Sequence, residues 1–145
     1  MNNNLLIFSL IVINLFNPIK KEEDYWRVLS KVTYKTEKDT DTGFEIERPV
    51  FDDVLLRYDG KEITLKGYIL PLDQLGGQDY FMFSQFPYNT CFFCGGAGPE
   101  TVVEVYASHQ IRFTNDAVTI KGKLKLNKDN PDHHMYILNK AELLK

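Results

Sequence analysis

Lys61-Glu62-Ile63-Thr64-Leu65-Lys66-Gly67-Tyr68-Ile69-Leu70 places Ile63, Leu65, Gly67 and Ile69 on one side of an extended chain and polar groups on the other. Successive side chains of a strand point to opposite faces, so this alternation reads as a strand with one buried face. Gly67 in its interior suggests a bulge or a sharp bend. Ala117 to Leu126 repeats the pattern, with Gly122 inside it. Three further segments read as strands: Tyr80–Ser84, Val102–Tyr106, and one beginning at Met135–Leu138, with Ala141–Leu144 closing the chain. Internal glycines let long strands turn through barrel corners. The expectation is a mainly β protein, a small five-stranded OB-like barrel. An open meander or a small sandwich is the alternative.

Before the barrel, Tyr25–Ser30 reads as a short helix, with Trp26 and Leu29 at inward-facing spacing. Val32–Thr36 and Phe44–Glu47 alternate around a turn-rich Asp39–Gly43, which predicts a hairpin with Gly43 at positive φ. Phe51–Tyr58 has helical spacing, and Asp52 or Asp53 is placed to cap it.

The 145 residues suit one domain, and 43% hydrophobic with 13% aromatic content belongs to a folded chain. A net charge of −3 and the absence of an evident basic face argue against nucleic acid as a partner. Leu5–Phe16 is apolar, broken only by Ser9 and Asn14. A membrane-crossing helix needs roughly 20 apolar residues, so this run is too short to cross and suits the core of a secretory signal. The reading is a signal peptide over residues 1–18, a charged linker over 19–24 and a single OB-like domain over 25–145. Such a chain is exported, periplasmic or secreted, with no stable membrane span in the mature protein. The run before Leu5 has no Lys or Arg, and a core helix is the other use for such a segment.

Both cysteines sit in Cys91-Phe92-Phe93-Cys94-Gly95-Gly96-Ala97-Gly98-Pro99-Glu100. A Cys-x-x-Cys turn brings two sulfurs to one point, and zinc takes four tetrahedral ligands of which thiolates are among the best. A glycine N–H after the second cysteine can stabilise thiolate charge, which the Cys94-Gly95 step allows. The missing ligands must come from elsewhere. Of three histidines, His133 and His134 are the leading candidates and His109 a weaker one. Glu100 is another weaker candidate, as ligand or as support for one. Thiolates with imidazole suit zinc, and copper(I) also favours soft donors. A structural disulfide is the competing reading, since export places the pair in oxidising surroundings. Its very short loop would remove little unfolded-state entropy. A thiol–disulfide oxidoreductase is the third, opposed by the glycine run where a helix would start and by the lack of a βαβ pattern. No hydrolase or phosphate-loop motif is present. The aromatic run Tyr80–Tyr88 reads as core packing.

Three passages carry a resemblance: Trp26–Val32, Asp59–Lys61 leading through Leu65–Leu72, and Cys91–Glu100 running into Val102–Val105. Together they are similar to a family of exported bacterial proteins, a domain of unknown function with an OB-like fold. Many of its members carry Cys-Ile-His and a run of prolines in the third passage. This chain has Cys-Phe-Phe-Cys-Gly-Gly-Ala-Gly-Pro-Glu there, so only Cys91 carries over. The resemblance implies an OB-like fold and export. Because some relatives are associated with metal-transport systems, it also implies a protein partner of that kind. The combined expectation is a non-enzymatic protein that binds or helps traffic zinc or copper.

Overall fold

The computed structural model describes residues 23–40, 42–70 and 77–144. The signal-like run and most of the charged linker lie outside the described residues. Asp24 caps a short helix α1 (Tyr25–Leu29), its side chain accepting from the Arg27 N–H. A hairpin follows, β1 (Thr33–Lys38) paired antiparallel to β2 (Glu45–Val50), with Gly43 at φ 74°. Asp52 caps α2 (Asp53–Leu56) by accepting from the Leu55 N–H at 2.8 Å, so α2 is a single turn.

The remaining strands are β3 (Glu62–Leu70), β4 (Gly77–Ser84), β5 (Val102–Arg112), β6 (Val118–Leu126) and β7 (Tyr136–Leu144). They close into a barrel in the order β3-β4-β5-β7-β6, with β3 returning to β6. The β5–β7 pair is parallel and the rest are antiparallel. This is the OB-like barrel expected from the alternation, and closure removes the unpaired edges an open sheet would carry.

Two glycines make the closure possible. A Cβ on Gly67 would stand 2.2 Å from the Ser84 carbonyl oxygen, so β3 crosses β4 more closely than any side chain permits. A Cβ on Gly122 would stand 2.7 Å from Leu138 Cγ. Opposite Gly122 the β6–β7 register shifts, and Lys140 takes φ 52°. An extra residue in one strand bends it and increases its twist, which is how a strand turns a corner.

The core fills from alternate positions: Ile63, Leu65 and Ile69 from β3, Phe81 and Phe83 from β4, Val103 and Val105 from β5. Trp26, Leu29 and Leu55 join it from the helices. Trp26 stacks on Phe83, and its indole N–H donates to the Lys66 carbonyl at 2.8 Å. The fully buried Tyr136 donates its hydroxyl to the Leu29 carbonyl at 2.7 Å, tying β7 to the end of α1.

Candidate functional site: a dithiol turn and a carboxylate–histidine pair

Because Ile69, Phe81 and Val103 face inward, their neighbours Leu70, Met82 and Val102 face outward. The chain between β4 and β5 folds back over them. Cys91 is fully buried among these three, with Phe92 packed alongside. A buried cysteine behaves as a small hydrophobe, and Cys91 is the plug that seats this loop on the barrel wall. Cys94 is exposed, and both cysteines are free. Phe93 projects outward, 53% exposed, so only one of the two aromatics between the sulfurs anchors the loop.

Phe92–Cys94 is one turn of 3-10 helix. The Cys94 N–H donates to the Cys91 carbonyl at 3.1 Å, the Gly95 N–H to Phe92 at 2.9 Å, and the Gly96 N–H to Cys91 at 3.1 Å. This corrects the expectation that a glycine N–H would support thiolate charge. The tight turn directs those donors to carbonyls three and five residues back, and none is left for a sulfur. Desolvation and the neighbouring Cys91 thiol push the Cys94 thiol above its ordinary value, which favours the neutral form.

The histidines serve another centre. Glu104, on the outward side of β5, is 2% exposed. Its carboxylate accepts from His133 Nδ1 at 2.8 Å, from the Tyr106 hydroxyl at 2.7 Å and from the His134 backbone N–H at 2.8 Å. Burial alone would raise its pKa. The three donors outweigh that and leave the carboxyl below the usual glutamate value. With Glu104 ionised, His133 carries its proton on Nδ1. The hydrogen bond to Glu104, ahead of burial, pushes the Tyr106 hydroxyl up to about 12. His134 is partly buried, and burial lowers its pKa. Its Nδ1 accepts the Tyr136 N–H at 3.2 Å, which suits a neutral ring protonated at Nε2. That Nε2 makes no hydrogen bond of ordinary geometry among the described residues, although the Pro99 backbone lies close enough to favour the charged ring. Asn127 holds the loop from inside, donating to the carbonyls of Asn130, His133 and His134 at 2.7, 3.1 and 3.2 Å.

The structure therefore brings Cys91 and Cys94 together, and His133 and His134 together, around different partners. Among the described residues no group of three or more His, Cys, Asp or Glu is gathered as a metal site. Glu100 lies near Tyr34, whose hydroxyl is pushed up to about 12 by burial first and by Glu100 second. His109 is exposed within β5, which runs on to Arg112 and past the end expected for that strand. Sequence reasoning passed over Glu104. The available signal was a carboxylate in the middle of Val102-Val103-Glu104-Val105-Tyr106, where a solvated glutamate is out of place.

No family model matches the chain, and no curated protein or solved structure is significantly similar to it. Among the described residues no helix is long and apolar enough to cross a membrane.

Proposed function

We propose that the chain is an exported, non-enzymatic interaction module in which Cys91 and Cys94 close a disulfide that fixes the loop between β4 and β5. The carrying observation is the turn itself. Its two sulfurs are neighbours, its N–H groups are spent on carbonyls, and no third donor among the described residues joins them. Closure by exchange is balanced: the two thiols give up two protons and two electrons, and an acceptor disulfide is reduced to a dithiol. A catalytic role is disfavoured by the order of the pair. The exposed sulfur is Cys94, and its raised pKa is the opposite of what an attacking thiolate needs.

Alkylation in denaturant and mass measurement of protein recovered from an oxidising compartment test this. The expected result is a chain that resists alkylation and gains two reactive thiols on reduction. Two freely reactive thiols before reduction would rule the disulfide out.

The second reading keeps the metal. Cys94 is exposed beside Cys91, so a soft cation such as copper(I), or zinc, could be held by the pair, with remaining donors supplied by a protein of a metal-transport system. Metal analysis of chelator-free protein separates the two. An equimolar metal, lost in the Cys91→Ser/Cys94→Ser double variant, favours this reading over the disulfide.

A further inference from the structure

Beside the dithiol turn lies a cleft of ≈ 360 Å³, bounded by the end of β3, the turn at Tyr88 and the segment joining β5 to β6. Three rings line it, Tyr68, Tyr88 and Phe113, together with Asn89, Thr114 and Asn115. Among the described residues no Asp, Glu, Lys, Arg or His lines it. Tyr88 is 56% exposed, so its ring is offered to whatever enters. The hydroxyls of Tyr68 and Tyr88 and the amides of Asn89 and Asn115 make no hydrogen bond to another described residue. Thr114 Oγ1 accepts the Asp116 N–H at 3.1 Å and keeps its own hydrogen to give.

We infer that this cleft is a binding site for a neutral saccharide. Aromatic faces with a few placed polar groups are what small-ligand sites are made of, and the volume is at the small end of that class. A sugar ring supplies apolar C–H faces for the rings and several hydroxyls for the amides and hydroxyls around them. Without cationic groups, the described lining residues offer a phosphate backbone no charge to neutralise, which separates them from a nucleic-acid groove. An extended peptide adding as a strand would need an open sheet edge, and the barrel has none.

The wall carrying Tyr88 and Asn89 is held in shape. Thr90 N–H donates to the Pro87 carbonyl at 2.9 Å, Thr90 Oγ1 to the same carbonyl at 3.2 Å, and Cys91 N–H to the Tyr88 carbonyl at 3.4 Å. A Cβ on Gly96 would stand 2.5 Å from the Thr90 carbonyl oxygen, so the glycine run packs directly behind this wall. The site rests on the binding-module part of the reading above and not on the oxidation state of the sulfurs.

The test is NMR titration of the full chain with chitotriose, cellotriose and maltotriose, run on oxidised and on reduced protein. A proline-rich peptide and a thymidine hexanucleotide serve as the other arms. At least one trisaccharide should give saturable shifts at Tyr68, Tyr88 and Phe113 in both redox states. Affinity should fall roughly tenfold in Tyr88→Ala and in Asn115→Ala, two exposed positions whose folding is checked by circular dichroism. The inference is overturned if no trisaccharide shifts these signals at millimolar concentration, if both variants bind as tightly as the unaltered chain, or if only the peptide or the hexanucleotide binds. Saccharide binding by protein whose thiols prove free would sink the disulfide and leave the cleft standing.

Discussion

Glu104 Oε1 lies 2.8 Å from His133 Nδ1, and the same carboxylate takes the backbone N–H of His134 on its other oxygen. One buried side chain of β5 thus anchors the loop that begins β7, across the parallel pair of the barrel. The His133 imidazole is committed to this anchor, while His134 joins it through its backbone N–H and keeps its ring outside the carboxylate's reach of hydrogen bonds.

Glu104→Ala should be the most damaging polar substitution in the protein. It removes an ionised acceptor and strands the His134 N–H and two side-chain donors. Hydrogen bonds to charged groups contribute roughly 1.5–3 kcal/mol each, less where water can replace the carboxylate. A loss of about 2 kcal/mol or more is expected in urea unfolding, with Glu104→Gln losing less.

Stability should fall in two stages on acidification. His134 has a folded pKa below its ordinary 6.5, so the unfolded chain takes up that proton first and stability begins to drop as pH falls through 6.5. Glu104 has a folded pKa below 4.5, so its contribution is complete above that value and is lost as pH falls through the folded pKa. Thermal unfolding at a series of pH values reads both. The upper stage should vanish in His134→Gln, and the lower one should shrink in Glu104→Gln.

The two cysteines should respond unequally to serine in reduced protein. Cys91→Ser puts a hydroxyl among Leu70, Met82 and Val102, at a cost of roughly 1–3 kcal/mol. Cys94→Ser alters an exposed position and should stay within about 0.5 kcal/mol. Urea midpoints of the two variants, measured with reductant present, give the comparison.

Gly67→Ala should disturb the barrel more than its one added methyl suggests. The new Cβ meets backbone, the Ser84 carbonyl at 2.2 Å, and backbone cannot swing aside as a side chain can. Overpacking of this kind costs roughly 1–3 kcal/mol. Gly43→Ala, with nothing within 4 Å, should feel only its φ of 74°. The pair separates steric from conformational cost in one set of melts.

The barrel was legible because alternation in Lys61–Leu70 and Ala117–Leu126 is a local signal, with Gly122 marking a bulge and Gly67 the close approach of β3 to β4. The capping role of Asp52 and the positive φ at Gly43 were local too. Strand length was less so. The last strand continues through Lys140, because a bulge there absorbs the break in pattern that alternation alone reads as an end. The site was harder for a different reason. Cys91 and Cys94 are neighbours by turn geometry, which spacing reveals. Which carboxylate meets His133 depends on β5 lying beside β7, and no local pattern encodes that pairing.

The burial of Cys91 gives the reduced protein an internal clock. A thiol reagent meets Cys94 at once but must wait for the loop to lift from the barrel before it reaches Cys91. Under conditions where reclosing outruns reaction, the slow rate divided by the rate of a free thiol is the fraction of time the loop stands open. That single ratio would measure how often this wall breathes, without unfolding the rest of the chain.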